Sequence, residues 1–274
     1  MGTNIRETVR ERYAEKATLP EDGCCSCDDA VAVSDQARAL GYADEDIQTV
    51  PEGANLGLGC GNPLALEQLR PGDTVLDLGS GGGFDCFLAA KGVGPHGRVI
   101  GVDMTQEMID RANENRAKFG ADNVEFRLGY IEDLPVDADS VDLIISNCVI
   151  NLSPDKQKVF DEAFRVLKSG GTLSVSDVVL LRKLPWFVRR SIDAYIGCVA
   201  GAALKEDYLE FLHNTGFHDV SVVKETCVSD IFPESDPTVQ SLLKAIPLPN
   251  SLIRNLSDRY GASIHVTAVK PVLN

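Results

Sequence analysis

Basic residues are in short supply: 26 Lys and Arg stand against 41 Asp and Glu in 274 residues, a formal charge of −15 at pH 7. A polyanion or an anionic membrane surface would be repelled by that balance. No basic cluster offsets it, so neither nucleic acid nor membrane is expected as a partner. Excess acid keeps a surface hydrated, one answer to a salty cytoplasm. Long apolar runs are missing too, since none approaches the ~20 residues of a membrane span. Met1 to Arg12 mix charges without the apolar stretch of a secretion signal. The expected setting is the cytoplasm, and the expected state a monomer. Thiols there stay reduced, so the eight cysteines are not expected to build a disulfide scaffold. Histidines number four, and none is spaced with a cysteine as in a zinc finger. What is present is ordinary for a globular protein: 44% hydrophobic and 24% charged residues, which exclude disordered and collagen-like readings.

The chain divides into an N-terminal arm with a cysteine loop (1–62), an α/β core (63–180) and a C-terminal α+β part (181–274). Residues 2–16 are predicted as a polar helix. Residues 17–30 are predicted as a loop carrying Cys24, Cys25 and Cys27, and residues 51–63 as a Gly-rich loop carrying Cys60. Apolar runs at 74–78, 98–102, 124–128, 141–146 and 172–176 read as strands. They alternate with helices at 83–91, 105–119 and 155–168, with Thr105 as a candidate N-cap and Gly120 as a stop. Five such strands argue for an α/β fold with a doubly wound parallel sheet. Residues 185–203 and 205–215 read as helices. Strands at 220–227 and 264–269 suggest an antiparallel hairpin added to the sheet edge.

The first strand runs into Asp77-Leu78-Gly79-Ser80-Gly81-Gly82-Gly83-Phe84-Asp85. This is Gly-x-Gly-x-Gly rather than the dinucleotide pattern, because position 84 is Phe. Glycines let a ligand approach the backbone, and the following helix N-terminus offers N–H groups to a carboxylate. Asp103 ends the second strand, where an acid can accept both ribose hydroxyls. The combination resembles the S-adenosylmethionine site of Rossmann-like class I methyltransferases. The resemblance implies that Asp77, Gly79, Ser80, Gly81 and Gly83 surround the methionine part and that Asp103 holds the ribose. It also implies that Met104 packs on the adenine, Ile131 and Glu132 meet its edge, and Asn147 contacts the methionine end.

Among the cysteines, Cys86 and Cys227 read as small buried hydrophobes. Cys148 follows the fourth strand at the ligand-binding edge. Cys60 and Cys198 lie among small residues and are open to either a packing or a ligand role. Three separated cysteines are not a zinc signature, yet they can converge on one soft three-coordinate atom. Ser146-Asn147-Cys148-Val149-Ile150-Asn151-Leu152, Gly59-Cys60-Gly61, Gly197-Cys198-Val199-Ala200-Gly201 and Gly79 to Cys86 resemble the arsenite S-adenosylmethionine methyltransferases. The resemblance covers most of the chain. It implies that Cys60, Cys148 and Cys198 bind As(III), and that arsenite and methylarsenite are substrates. It also implies that thioredoxin or glutathione supplies electrons. Where animal and algal members carry a Tyr-Tyr pair, this chain has Gly57-Leu58-Gly59. Three readings stand for Cys24, Cys25 and Cys27: a redox relay with Cys60, which the family implies, an arsenic-capture arm, or an exposed loop without a part in turnover. Two other functions remain as alternatives, a carbon methyltransferase of the quinone-biosynthesis type and a non-catalytic metalloid-binding protein.

Overall fold

The computed structural model describes residues 5–18, 27–51, 53–65, 69–183, 201–231 and 258–272, with residues 27–32 described by backbone alone. Helices α1 (Ile5–Ala17), α2 (Cys27–Leu40) and α3 (Asp44–Thr49) precede β1 (Thr74–Leu78). There follow α4 (Phe84–Val93), β2 (Arg98–Asp103), α5 (Gln106–Phe119), β3 (Val124–Leu128) and β4 (Val141–Asn147). Next come α6 (Lys156–Val166), β5 (Leu167–Leu180), α7 (Lys205–Thr215), β6 (His218–Cys227) and β7 (Gly261–Val269). The seven strands form one sheet in the order β3-β2-β1-β4-β5-β7-β6. The first five are parallel, and β7 and β6 add an antiparallel hairpin to the β5 edge. The α/β reading and the added hairpin therefore hold.

Apolar side chains alternate across the sheet, as a strand's period of two requires. Val75, Val99 and Ile145 face a layer with Phe87 of α4 and Val9 of α1, while Leu76, Leu78 and Ile144 face Phe160 of α6 and Tyr208 of α7. Gly120 stops α5 in the left-handed conformation, at φ 73°. Asp155 caps α6 by accepting the Lys158 N–H.

Some expectations need correction. Residues 27–30 begin a helix rather than ending a loop. Strand β5 reaches Leu180 rather than Ser176, because β7 pairs with it from Thr172 to Leu180. Thr105 occupies the N-cap position without a capping bond; its own N–H goes to Asp103 Oδ1 at 2.9 Å. Of the helix expected at 185–203, residues 185–200 lie outside the described residues and 201–203 are not helical. No described helix is long and apolar enough to cross a membrane.

Phe160 is fully buried and meets the Tyr208 ring edge-on, with centroids 5.3 Å apart. Phe160→Ala is expected to destabilise the fold by about 3–5 kcal/mol, measured by urea denaturation; a loss below about 1 kcal/mol would contradict this packing.

Candidate functional site

In the sheet, β2 and β4 lie on opposite sides of β1, so the chain reverses its winding there. An open α/β sheet binds its ligand at this point, outside the carboxyl ends of the strands. An open cleft of about 1200 Å³ occupies that position. Of the residues expected around a cofactor, Asp77, Gly79, Ser80, Gly81, Asp103, Met104, Ile131, Glu132 and Asn147 line it. Gly83 does not; it is the N-cap of α4, at φ 93°, wedged against Phe87 and Phe126.

Asp103 is fixed on two sides, with Oδ2 accepting the Gly81 N–H at 3.0 Å and Oδ1 that of Thr105. This ties the glycine loop to the end of β2. Glu132 accepts from Arg6 Nη2 at 2.9 Å and from the Ser153 hydroxyl at 2.6 Å. Through Arg6, which also sits 5.2 Å from the Tyr130 ring centre, α1 closes one wall of the cleft. Arg111 holds the end of that helix by donating to the Ala17 carbonyl at 2.9 Å.

The electrostatics identify the kind of ligand. Asp77, Asp85 and Asp103 are all buried and line the cleft, and among the described residues none forms a salt bridge. Burial, then the charge of Asp85, pushes Asp77 well above the usual carboxylate range. Burial raises Asp85 to about 6, although hydrogen bonds from Tyr42 and Asn147 oppose it. Burial also raises Asp103, against the N–H groups of Thr105 and Gly81. A phosphate group would be repelled here, whereas a cation would relieve all three. The buried hydroxyls of Ser80 and Thr105 have no hydrogen-bond partner, and both residues line the cleft. These donor and acceptor groups fit the ammonium, sulfonium and ribose of S-adenosylmethionine.

Next to the cleft lies a sulfur cluster. The Cys60 loop is laid against the ends of β4, β5 and β7. Asn147 Oδ1 accepts the Cys60 N–H at 2.9 Å, and Asn147 Nδ2 donates to the Gly61 carbonyl at 2.8 Å. Ser263 donates to the Cys60 carbonyl at 2.9 Å, and Ser174 to that of Pro63 at 2.7 Å. Cys148, directly after β4, has φ 63°, a conformation that non-glycine residues adopt rarely and mostly at functional sites. It forms a disulfide with Cys60, with Cα atoms 5.7 Å apart. This pairing is not anticipated from the sequence; it arises because β4 and the loop bring the two side chains into contact, and one such pair is not a disulfide scaffold.

Asp177 of β5 completes the cluster. A carboxylate oxygen and the two sulfurs lie within 4.8 Å of one another, all three residues buried. Asp177 accepts from Asn151 Nδ2 at 2.6 Å, from the Val178 N–H at 3.0 Å and from the Tyr208 hydroxyl at 3.3 Å. Burial raises its carboxyl to about 7 despite the nearby charge of Lys156. Asp85, Tyr42 and Asp177 escape the sequence reading. Asp85 passes for an ordinary first-turn acid, and Tyr42 meets the cleft only through tertiary folding. Asp177 had one visible signal, an acid at the carboxyl end of an apolar strand.

Cys86 is buried as expected, and its thiol donates to Asp77 Oδ2 at 3.2 Å. Cys227, read as buried, is exposed, because the edge strand β6 has one side open to solvent. Cys24, Cys25 and Cys198 lie outside the described residues, as does the side chain of Cys27, which begins α2.

A methyltransferase-domain family model matches residues 69–216. An arsenite methyltransferase from Halobacterium salinarum is 53% identical over 230 residues, 79% of this chain and 58% of that one. The Homo sapiens arsenite methyltransferase is 39% identical over 227 residues, 78% of this chain and 58% of its own. The chain thus spans little more than half the length of these relatives. The crystal structure of an arsenic(III) S-adenosylmethionine methyltransferase from Chlamydomonas reinhardtii superposes with a TM-score of 0.61 at 32% identity, covering 87% of this chain and 74% of that one.

The buried acids set a pH dependence. Each folded-state carboxyl binds its proton more tightly than in the unfolded chain, so its contribution to stability is full below pH ~4 and is lost as pH rises through about 6 for Asp85. A cationic ligand needs the ionised acid. S-adenosylmethionine is expected to bind about tenfold more weakly at pH 5 than at pH 7.5, with proton release on binding, as measured by calorimetry in two buffers. Affinity independent of pH would contradict this role for Asp85.

Proposed function

Because the chain belongs to the arsenite S-adenosylmethionine methyltransferase family, within the methyltransferase-domain family, we propose that it methylates trivalent arsenic held by Cys60, Cys148 and Cys198. The products are mono- and dimethylated arsenicals, with trimethylated ones as the end point, and the role is arsenic detoxification. The observation that carries this reading is the contact of Cys60 with Cys148 at the rim of a cleft suited to a cationic cofactor. Cys198 enters as the third ligand from the sequence resemblance. Its described neighbours support this, since the Leu180 N–H donates to the Ala203 carbonyl at 2.8 Å, three residues beyond Asp177.

When bound, S-adenosylmethionine supplies an electrophilic methyl group on a cationic sulfur. Asp77 and Asp85 attract positive charge, Asp103 accepts ribose hydroxyls, and Met104 and Ile131 offer apolar surface to the base. As(III) has three bonding positions and a lone pair. Each thiol that bonds to it releases one hydroxyl ligand as water. Three thiolates leave the lone pair as the nucleophile, so no general base is needed and the protein's main contribution is alignment. Methyl transfer to that lone pair would form the As–C bond and leave the C–S bonding pair on the departing sulfur, so arsenic would be oxidised by two electrons, which two thiols closing to a disulfide would return. Cys60 and Cys148 can close such a bond, as can Cys60 with Cys24, Cys25 or Cys27, and thioredoxin or glutathione reopens it.

A carbon methyltransferase would need a base reaching its substrate. Asp85 lines the cleft with a raised carboxyl but is held by Tyr42 and Asn147 on the cofactor wall, and Asp177 does not line the cleft, whereas Cys148 does. A non-catalytic metalloid binder would have no use for the buried acids.

Incubation with arsenite, S-adenosylmethionine and a thiol, followed by chromatographic separation of arsenic species, is expected to give methylated arsenic. Cys60→Ser is expected to slow methylation of arsenite about a hundredfold or more while methylarsenite, which needs two thiolates, stays near the parent rate with external thiol in excess to return the electrons that a Cys60 disulfide no longer can. Equal loss on both substrates would overturn that division of labour. No methylated arsenic from the parent protein, with the cofactor bound, would return the carbon methyltransferase reading.

A further inference from the structure

Asp177 is not accounted for by the mechanism above. It is fully buried, its carboxylate faces two sulfurs, and its nearest elements give it neutral donors: Asn151, the Val178 N–H and Tyr208. An ionised carboxylate has about four acceptor positions; the Asn151 N–H also bears on this one, and the Tyr208 hydroxyl holds its place only at 3.3 Å, a position that a stronger donor can take. Two further polar atoms on neighbouring residues have no hydrogen-bond partner although fully enclosed, Asn151 Oδ1 and Ser176 Oγ. Asn151 is bonded to Asp177, and the Ser176 carbonyl lies 3.7 Å from Cys60 Sγ and accepts from the Cys148 N–H at 2.8 Å. Buried polar groups in folded proteins rarely stay unsatisfied, and exceptions point to a missing partner. The Asp177 carboxylate itself lies within 4.8 Å of both sulfurs.

We propose that Asp177, with Asn151, forms the contact for a hydroxyl ligand that arsenic retains while only Cys60 and Cys148 hold it. This rests on the reading of those two cysteines as arsenic ligands. Arsenite reacts with two thiols to give a dithiolate that keeps one As–OH group, releasing two waters. That hydroxyl is a hydrogen-bond donor, and the carboxylate beside the sulfurs accepts from it. The contact holds the half-bound state until the third thiol replaces the hydroxyl, which leaves as water with the thiol proton. It also gives a basis for selection, because an arsenical whose third position is carbon has no hydroxyl to offer after two thiols have bound.

The test uses the full chain carrying Cys198→Ser, reduced and freed of reductant, so that two thiolates are available in the site. Arsenite then keeps one hydroxyl, whereas phenylarsine oxide keeps none. Asp177→Asn is expected to weaken arsenite binding about tenfold, as loss of a hydrogen bond to a charged group does, and to leave phenylarsine oxide within twofold. Equal weakening of both, or no change for arsenite, would overturn the proposal and make Asp177 a purely structural acid. Should Asp177→Asn fail to fold, Tyr208→Phe decides. Removing this donor frees an acceptor position of the carboxylate for the hydroxyl, so the ratio of arsenite to phenylarsine oxide affinity is expected to rise at least twofold; an unchanged or lower ratio overturns the proposal. Failure of the underlying reading is visible separately, as phenylarsine oxide binding that does not change when Cys60→Ser is added.

Discussion

The backbone N–H of Cys60 points at the side-chain oxygen of Asn147, 2.9 Å away, and most of the site depends on that bond. The same carboxamide donates to the Gly61 carbonyl at 2.8 Å, to the Tyr42 hydroxyl at 3.1 Å and to Asp85 at 3.2 Å. One group therefore joins the cysteine loop, the N-terminal arm and the acidic wall of the cleft. The approach is too close for ordinary side chains. A Cβ at Gly59 would strike the Asn147 amide, and one at Gly61 would strike Ser176. The glycines on either side of Cys60 are thus required by contact distance. Asn147 was expected to face the cofactor, and it does line the cleft, but its hydrogen bonds go to protein groups. It acts on a ligand through what it positions.

Three unpaired carboxylates in one buried wall are unfavourable in an empty protein. Desolvation raises all of them, and repulsion from Asp85 and Asp103 adds to it for Asp77, so a neutral replacement would relieve the fold. A ligand that brings positive charge to Asp77 and Asp85 and hydroxyl donors to Asp103 would offset that cost. The same arrangement separates this cleft from a dinucleotide site, where a glycine loop serves phosphate. The glycine pattern alone leaves that choice to one residue, Phe84; the charge of the cleft settles it independently.

Much of this was legible in the sequence. Strand β3 matches its reading at both ends, because its alternating apolar and charged residues are bounded by turn residues on each side. The end of α5 at Gly120 is legible because only a left-handed residue satisfies the last carbonyls there. The order of elements and the position of the glycine loop follow from the alternation of strand and helix. What was not legible depends on contacts distant in sequence. Strand β5 runs on to Leu180 because β7, some ninety residues later, pairs with it. Asp85 looked like an ordinary helix-start acid until Tyr42, 43 residues away, bonded to it at 2.7 Å. Cys227 has the composition of a core residue and lies on an open edge. Period and composition report which face of an element is apolar; they do not report which polar groups meet.

The meeting of Cys60 and Cys148 bears on both chemistry and redox state. Two thiols near enough to bond to each other are near enough for a single arsenic atom to bridge, so disulfide formation and arsenic binding compete for the same electron pairs. On the proposed reading, the closed form would not take up arsenic, and reduction of the pair would be a condition of substrate entry as well as of turnover. Burial sharpens the competition. Among the described residues both cysteines are shielded from bulk solvent, with Cys60 at 1% and Cys148 at 4% exposure, and Cys148 lines the cleft that α1 walls on one side through Arg6 and Glu132. On the proposed reading, the contact that shapes the cofactor wall also stands beside the approach of a reductant to the sulfur pair.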